Sequence, residues 1–398
     1  MKPTCVCMVV QNYYQIDPRV RRKADILIEQ GYVVDVIALH EPQWPRVYEL
    51  GGVKVYTVPL RKKRGDRLRY IFEYAAFWML AFALVTILSV KHRYDVIEVN
   101  NLPDFLVFST CAPKLLGARI LLDMHEITPE FYMSKFGVDR QHIIVRLATW
   151  LEQRSVRFAD WIIASNDLIA ECLIGRGLPS SKLTVVMNSA DEKLFRGPKG
   201  ADPETIGGGN QNHPLILMYH GTLTSIYGLD IAIEALDQVR TQRPDLNIEF
   251  HILGSGSAKG ELLRQTEKLN LNGIIRFLGN VPLDQVPHYV ARCDVGLLST
   301  RQDVFLDMSF SNKLVEYIIM DKPVIASRLK GYQRYFREES LAFFEPCDPD
   351  SLGDTIIWMA QNPSVWSDLA ANARRDYQAI TWEVMGERYL TVINRLQQ

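Results

Sequence analysis

The sequence predicts an α/β fold made of two parallel-sheet domains in tandem. Short apolar runs alternate with helix-patterned stretches along most of the chain. A stretch rich in Gly, Pro and Asn, 197–213, interrupts this alternation, and the pattern then restarts. Strands that alternate with helices are joined by right-handed crossovers, which produce doubly wound parallel sheets. We therefore predict two Rossmann-like domains whose strand ends face a central cleft.

The N-terminal domain is predicted to span residues 1–196. Its first helix should begin at Asp17-Pro18, because Asp is a good N-cap residue and Pro suits the first helical position. The apolar N-terminal run lacks a small-residue cleavage site and is predicted to be a strand, not a signal peptide. The predicted strands are Thr4–Val10, Val33–Leu39, Val53–Val58, Asp95–Val99, Ile120–Asp123, Trp161–Ser165 and Leu183–Met187.

A linker over 197–213 should lead to a C-terminal domain over 214–378. Helices are predicted over 229–240, 259–268 and 283–291. The final stretch, 379–398, contains a helix with no strand partner, and we expect it to pack back toward the N-terminal domain. The predicted strands are Leu215–Tyr219, Ile248–Leu253, Ile274–Leu278, Val295–Ser299 and Val324–Ala326.

The stretch 309–326 combines a short helix with a buried strand. Ser311 or Asn312 is a suitable N-cap, and Asp321-Lys322-Pro323 should end the helix. Helical spacing separates an apolar face from a polar one. The apolar face comprises Leu314, Val315, Ile318 and Ile319, and the polar face comprises Asn312, Lys313, Glu316 and Met320.

The polar face of this helix suits a ligand that carries phosphates and a sugar. A helix N-terminus and Lys313 attract an anion, and the Glu316 carboxylate accepts hydrogen bonds from hydroxyl groups. The alternative is a solvated helix face on which Lys313 and Glu316 form an ordinary i,i+3 pair.

Composition excludes several classes of protein. The chain has 398 residues, 47% of them apolar and 23% charged, with a net charge of −1. This charge gives no overall reason to bind nucleic acid. The six cysteines contain no CxxC pair, so we predict neither a metal site nor a disulfide framework, and a cytoplasmic location fits.

Seven short stretches in order resemble the family 4 retaining glycosyltransferases of the GT-B fold, and the similarity runs over essentially the whole chain. In that family the second domain binds a nucleotide-sugar and the first binds the acceptor. The stretches are Asp17–Arg22, Asp123–Glu126, Val186–Asp191, His220–Leu223, Leu253–Gly256, Phe277–Gly279 and Ser311–Tyr317.

The resemblance implies roles for particular residues. Glu316 would bind the ribose hydroxyls, the backbone at 312–314 would meet the diphosphate, and His125 would lie against the donor sugar. His125 and Lys313 are then the candidate catalytic residues. The implied donor-binding residues are Gly221, Thr222, Gly254, Ser255, Gly256, Ser311, Asn312, Leu314 and Glu316, and those on the acceptor side are Asp17, Arg19 and Glu126.

The sequence departs from the family pattern at two places. Many relatives have two glutamates eight positions apart, but Met308 occupies the earlier position here. Many also have an Arg and a Lys in the loop at 220–228, which contains neither. Lys313 would then stabilise the leaving group without a metal. The family mechanism, front-face attack, uses the leaving phosphate as the base, and the expected co-substrate is a UDP- or GDP-sugar.

A basic run precedes a long apolar segment, Phe72–Val90. A helix of this length spans about 28 Å, but two predicted strands of one sheet flank it, so a membrane crossing is not expected. The alternatives are a buried core helix and a helix lying on an anionic cytoplasmic membrane surface, which the basic run favours. The predicted membrane-contacting residues are Arg61, Lys62, Lys63, Arg64, Arg67, Arg69, Phe72, Phe77 and Trp78.

Three functions are compatible with these observations. The first is a peripheral membrane glycosyltransferase that transfers a sugar from a nucleotide-sugar to a lipid-linked or growing glycan acceptor. The second is a nucleotide-sugar 2-epimerase of the same fold, which would need catalytic carboxylates in the cleft. The third is a non-catalytic nucleotide- or glycan-binding subunit, which Met308 and the missing Arg/Lys pair suggest.

Overall fold

The computed structural model describes residues 3–61, 67–196 and 214–397, with the backbone alone for 67–71. It divides into two compact units. Unit 1 contains the chain up to Asn188 and again from Glu383, and unit 2 contains Ser189–Trp382. The first segment of unit 1 thus ends at Asn188, whereas the predicted N-terminal domain ends at residue 196. The predicted linker, 197–213, lies outside the described residues.

Unit 1 is built on an eight-stranded sheet in the order β3-β4-β2-β1-β5-β6-β7-β8. All neighbouring strands are parallel except β3, which pairs antiparallel with β4. The strands are β1 (Cys5–Val10), β2 (Val33–Leu39), β3 (Val47–Leu50), β4 (Val53–Val58), β5 (Val96–Asn100), β6 (Arg119–Met124), β7 (Trp161–Ala164) and β8 (Leu183–Val185).

The helices of unit 1 cover both faces of this sheet, as right-handed crossovers require. They are α1 (Pro18–Glu29), α2 (Arg67–His92), α3 (Cys111–Leu115), α4 (Thr128–Phe136), α5 (Ile143–Phe158) and α6 (Asp167–Gly175). The start of α1 is as predicted, because the Asp17 carboxylate accepts a hydrogen bond of 3.2 Å from the Arg19 N–H.

Helix α2 is only partly buried. Phe77 and Ala81 are fully buried in unit 1, whereas Phe72 is 71% exposed. The prediction that Phe77 contacts a membrane is therefore wrong: at helical spacing its side chain falls on the face that packs into the core. Trp78 is half-buried, and nothing is described of the side chains of Arg67 and Arg69.

Unit 2 has a six-stranded, entirely parallel sheet in the order β11-β10-β9-β12-β13-β14. The strands are β9 (Leu215–His220), β10 (Ile248–Leu253), β11 (Ile275–Gly279), β12 (Val295–Leu298), β13 (Val324–Ser327) and β14 (Ala342–Phe344). The helices are α7 (Glu192–Phe195), α8 (Leu229–Gln242), α9 (Lys259–Lys268), α10 (Val286–Ala291), α11 (Asn312–Ile319), α12 (Lys330–Gln333), α13 (Pro349–Gln361) and α14 (Trp366–Tyr377).

The final helix, α15 (Trp382–Leu396), belongs to unit 1 from Glu383 onward. Its Tyr389 is fully buried and donates a hydrogen bond of 2.6 Å to the Glu98 carboxylate on β5. The Met385 sulfur accepts a hydrogen bond of 3.2 Å from the Met187 N–H. The end of the chain thus completes the core of the first unit.

Candidate functional site

The strand order of unit 2 determines where a ligand can approach its sheet. Strands β9, β10 and β11 progress in one direction from the centre, and β12, β13 and β14 progress in the other. The switch point therefore lies between β9 and β12, where loops leave the sheet in opposite directions and open a crevice. His220 ends β9 at this point, and α11 follows β12.

Two glycine loops lie at this switch point and are bonded to each other. The Gly221 N–H donates to the Leu253 carbonyl at 2.8 Å, and the Leu223 N–H donates to the Ser255 carbonyl at 3.0 Å. Gly221 and Gly254 have positive φ angles of 126° and 138°. A Cβ atom on Gly254 or Gly256 would overlap the carbonyl of the facing loop. These predicted donor-site glycines are thus required by close backbone approach.

Helix α11 buries the predicted apolar face and leaves its other face partly exposed. Leu314 and Ile318 are fully buried, and Lys313 and Glu316 are intermediate. Ser311 is the N-cap residue but makes no side-chain capping bond within the described chain, contrary to the capping role expected of it. Its hydroxyl instead hydrogen-bonds to Tyr332, which is bonded to Thr300 as well.

The Lys313 side chain crosses directly over Gly221. A Cβ atom on Gly221 would overlap the lysine Cε and would lie 3.2 Å from Nζ. The ammonium group lies 4.1 Å from the centre of the Tyr227 ring and 5.5 Å from that of Tyr219. In the described part of the chain, no carboxylate pairs with Lys313.

Two other cations that follow neighbouring strands of the sheet are each paired with carboxylates. Arg301 forms an ion pair with Asp230 and donates to the Ser225 carbonyl at 3.0 Å. Arg328 pairs with Glu338 and, at 2.9 Å, with Glu345. Of these three cations in the described chain, Lys313 is the one that has no carboxylate partner and can offer its charge to an anion at the glycine loops.

Glu316 lies one helical turn after Lys313 and faces His220. The distance from Glu316 Oε2 to His220 Nε2 is 3.3 Å. Burial, with a smaller effect of Lys313, lowers the pKa of His220 to about 3, so the ring is neutral at pH 7. The Glu316 carboxyl group therefore lies beside a neutral ring, and its oxygens can accept hydrogen bonds from hydroxyl groups.

Unit 1 has its own switch point, between β1 and β5. A cavity of about 320 Å³ lies there. Gln11 and Asn101 line it from the strand ends, and three predicted site residues, Arg19, His125 and Glu126, line it as well. Glu73 and Tyr74 from the first turns of α2 complete one wall, so this cavity adjoins the helix that the sequence analysis placed at a membrane.

His125 is fixed by two oxygen acceptors. Its Nε2 lies 3.1 Å from Asp123 Oδ2 and 3.0 Å from Asn100 Oδ1, so this nitrogen carries the proton. Burial lowers the pKa of His125 despite the nearby Asp123 carboxylate. The ring is therefore neutral, and its buried Nδ1, which has no partner among the described residues, is a hydrogen-bond acceptor.

Asp123 is held ionised by a buried network that sequence reasoning missed. Burial opposes its charge, but His125 and the Lys23 ammonium outweigh this effect and hold its pKa well below the usual range. Lys23 Nζ contacts Asp123 and also lies 3.3 Å from Glu98 Oε1. A signal was available, since Lys23 falls on the buried side of α1 between Val20 and Leu27.

Asp17 and Arg19 form one bonded pair at this cavity. Arg19 Nε and a terminal guanidinium nitrogen lie 3.1 and 3.0 Å from the Asp17 oxygens, and Asn12 donates to the same carboxylate at 2.9 Å. Burial opposes the charge of Asp17, but these hydrogen bonds outweigh it and lower its pKa to about 2. Asp17 is thus occupied in positioning Arg19, and Arg19 lines the cavity.

The predicted site residues therefore form two groups, one in each unit. Gly221, Gly254, Lys313 and Glu316 meet at the switch point of unit 2, with Thr222 and Ser255 exposed on its loops. His125, Arg19 and Glu126 meet in the cavity of unit 1. The site residues that sequence reasoning did not single out are Lys23, Tyr219, His220 and Tyr227.

Comparisons with known proteins identify the family. Residues 214–362 match the model of glycosyl transferases group 1, and residues 16–189 match that of the glycosyl transferase 4-like domain. The chain belongs to the group 1 glycosyltransferases. It is a glycosyltransferase with relatives in polysaccharide and glycolipid synthesis.

Individual relatives are distant. The D-inositol 3-phosphate glycosyltransferase of Nocardioides sp. is 22% identical over 61% of this chain and 55% of its own length, so the match spans little more than half of that relative. The chitobiosyldiphosphodolichol β-mannosyltransferase of Candida glabrata is 20% identical over 92% of this chain and 85% of its own length.

A solved structure gives the same fold. The structure of Anabaena HepE in complex with UDP and glucose matches with a TM-score of 0.69 at 18% identity, covering 98% of this chain and 99% of that one. The predicted fold class, GT-B with two Rossmann-like parallel-sheet domains, is confirmed.

Proposed function

We propose that the protein is a retaining glycosyltransferase that transfers a hexose from a UDP- or GDP-sugar to a lipid-linked or growing glycan acceptor. The observation that carries the proposal is the Lys313 ammonium above the Gly221 loop at the switch point of unit 2, which pairs with no carboxylate of the described residues. Departure of a nucleoside diphosphate places negative charge on phosphate. A fixed cation beside a helix N-terminus stabilises this charge.

Recognition of the nucleotide would follow from the same group of residues. The diphosphate binds at the start of α11, and the ribose hydroxyls donate to Glu316, one turn further along the helix. Support for a nucleotide-sugar also comes from the relative HepE, whose structure contains UDP and glucose.

The proposed chemistry needs no metal and no protein base. Lys313 and the helix N-terminus supply the positive potential, and the leaving phosphate takes the proton of the acceptor hydroxyl as that hydroxyl attacks from the same face. His125 contributes a neutral ring whose Nδ1 accepts a hydrogen bond from a sugar hydroxyl. It positions the sugar and does not change its own protonation.

A lipid-linked acceptor and a location on the cytoplasmic membrane surface are part of the proposal. Of the described helices, α2 has a segment, Phe72–His92, long and apolar enough to cross a membrane. However, one side of α2 packs into unit 1 through Phe77 and Val85, which favours a helix lying on the surface over one that crosses it. The cavity that holds Arg19 and His125 borders this helix.

A transfer assay tests the proposal. The protein is incubated with UDP- and GDP-hexoses, with and without polyprenyl-diphosphate-linked sugars, in buffer containing a chelator. We expect transfer that survives chelation, and a product whose anomeric configuration, read by NMR coupling constants, matches that of the donor. An inverted product would refute the retaining mechanism. Epimerised donor, or binding without turnover, would support one of the two alternative functions.

A further inference from the structure

Helix α5 has an apolar stripe on its solvent side. Ile143 is 71% exposed, Leu147 is 55% exposed and Trp150 is 51% exposed. These residues follow the spacing i, i+4, i+7, so they lie on one side of the helix. The buried residues of α5, which include Val145, Ala148 and Val156, lie on the opposite side.

Helix α2 has a matching stripe on its own outer side. Phe72, Met79, Ile87 and Val90 are all exposed, and at helical spacing they lie opposite the fully buried Phe77, Ala81 and Val85. Between the two helices, α3 ends in Leu115, which is 89% exposed. We call these exposed side chains the outer apolar face, defined as Phe72, Met79, Ile87, Val90, Leu115, Ile143, Leu147 and Trp150.

The three helices lie in one layer of unit 1. Each connects strands that progress in the same direction from β4 through β5 and β6 to β7, so right-handed crossovers place them on the same side of the sheet. The short helical segment Asp104–Thr110 packs against both α2 and α5, and α3 packs against α2. Their solvent sides therefore face away from the sheet on the same side of unit 1.

The charges on α2 and α5 favour an anionic partner. The two helices contain six Lys and Arg residues and two carboxylates, Glu73 and Glu152. Glu152 is buried and bonded to Arg176 at 2.7 Å, so it is not available at the surface. Arg154 stacks on the Trp150 ring with its guanidinium 5.4 Å from the ring centre. An apolar stripe with an aromatic ring and cations beside it suits the headgroup region of a bilayer.

We infer that α5 is a second membrane-contacting element, and that α2 and α5 together bind unit 1 to a bilayer containing anionic phospholipid. The inference rests on the proposed membrane location and extends it from the basic run and α2 to the whole outer apolar face. Two separated contacts would also fix the orientation of unit 1 on the bilayer, which a single helix cannot do.

Vesicle binding by the full chain tests this inference. The substitutions Leu147→Ser and Trp150→Ser are made together, and a matched control carries Leu283→Ser and Trp358→Ser, the same two residue types exposed on unit 2. Partition is measured onto phosphatidylcholine vesicles with and without phosphatidylglycerol. We expect the α5 variant to partition about tenfold or more weakly and the control to partition like the wild type.

The outcomes separate this inference from the proposed function. Wild-type partition in the α5 variant would overturn the inference while leaving the membrane proposal intact. Failure of the wild type to bind vesicles would overturn both, and transfer to a water-soluble acceptor would still report on the enzyme. A wild-type dimer that becomes a monomer in the α5 variant, with unchanged partition, would assign the face to a second copy of the chain and overturn the inference.

A fluorescence measurement checks α5 without removing its apolar character. Trp150→Phe keeps an aromatic ring and is expected to fold normally. We expect lipids brominated along the acyl chain to quench part of the tryptophan emission of the wild type, and this part to be absent in Trp150→Phe. Equal quenching in the two proteins would show that Trp150 does not reach the bilayer and would overturn the inference.

Discussion

Lys313 lies with its ammonium group 4.1 Å from the centre of the Tyr227 ring, and its side chain fills the space left by the missing Cβ of Gly221. Gly221 and the Tyr227 ring thus fix the Lys313 ammonium group at the switch point of unit 2. This arrangement holds the charge in place before a ligand arrives, which is the condition under which a cation stabilises a transition state most strongly.

Replacing Lys313 with Ala should lower turnover more than donor binding, because negative charge on the leaving phosphate increases toward the transition state. We expect kcat to fall about 10²- to 10³-fold, with a smaller change in the KM for the donor. Steady-state kinetics measure both constants. Arg328→Ala is the control, because Glu338 and Glu345 already neutralise Arg328. A loss confined to KM would mean that Lys313 stabilises the bound substrate and the transition state equally.

Replacing Glu316 with Gln should weaken binding of nucleoside diphosphates, because two ribose hydroxyls lose a charged acceptor. A hydrogen bond to a charged group contributes about 1.5–3 kcal/mol, so the expected loss of affinity is roughly 10- to 150-fold. Titration calorimetry with UDP and GDP measures it. The 2′-deoxy nucleotides should bind the wild type more weakly but cause little further loss in the variant. Equal sensitivity of both proteins to the 2′-hydroxyl would place the ribose elsewhere.

His220 should make unit 2 less stable in acid. Its pKa is about 3 in the folded protein, against an ordinary value of 6.5, so the unfolded chain binds the proton more readily. The stability that the neutral ring provides is complete above pH 6.5 and is lost as the pH falls from 6.5 toward 3.

Urea unfolding at pH 7, 5.5 and 4.5 measures this effect. We expect His220→Gln to have a smaller loss of stability between pH 7 and 4.5 than the wild type. The exposed residue His288 supplies the control substitution, His288→Gln, which should lose stability with pH as the wild type does. Parallel pH profiles for the wild type and His220→Gln would contradict the buried neutral state.

Tyr389→Phe should destabilise unit 1 by about 1–3 kcal/mol, because the buried Glu98 carboxylate loses the hydroxyl that donates to it. Thermal and urea unfolding followed by circular dichroism measure the change. Tyr32→Phe is a matched control: Tyr32 also donates to α15, to Asn394 at 2.7 Å, but at an exposed position where water replaces the bond. Equal effects of the two substitutions would mean that burial of the Tyr389 bond has no special importance.

Much of the fold follows from the sequence, because its strongest signals are local. The Asp17-Pro18 start of α1 and the buried face of α11 depend on spacing within a few residues, and the structure has both. Strands β3 and β14 were not predicted. Both strands are short, so neither contains the long apolar run that predicts a strand. Strand β3 is also an edge strand, which pairs with β4, its neighbour in the chain.

The residues that were missed depend on contacts that are distant in the sequence. Lys23 pairs with Glu98 and Asp123, which lie on other strands, and only the folded sheet brings them together. Ser311 has the chemistry of an N-cap, but its hydroxyl is engaged by Tyr332 instead. Phe77 was assigned to the membrane because it is an aromatic residue at the basic end of the apolar segment. That position does not say which side of the helix packs into the core.

The basic run at 61–69 should control membrane attachment through electrostatics, whereas α2 and α5 contribute apolar contacts. Arg61 is exposed, and Lys62, Lys63 and Arg64 lie outside the described residues, so the prediction rests on their charge. Replacing all four with Ser should reduce binding to anionic vesicles strongly, since each cation near an anionic leaflet contributes about 1 kcal/mol.

Sedimentation with vesicles at low and high salt measures the electrostatic contribution, since screening shortens the reach of these charges to roughly a Debye length of about 8 Å at physiological salt. We expect wild-type binding to weaken as salt rises, and the binding that remains in the serine variant to depend much less on salt. Thermal unfolding of the variant should match the wild type, because exposed charges contribute little to stability.

Transfer to a short water-soluble acceptor should survive in the variant, while transfer to a lipid-linked acceptor in vesicles falls. Unchanged vesicle binding in the serine variant would assign attachment to the apolar helices alone, and equal activity of both proteins on the two acceptors would remove the reason for proposing a lipid-linked one.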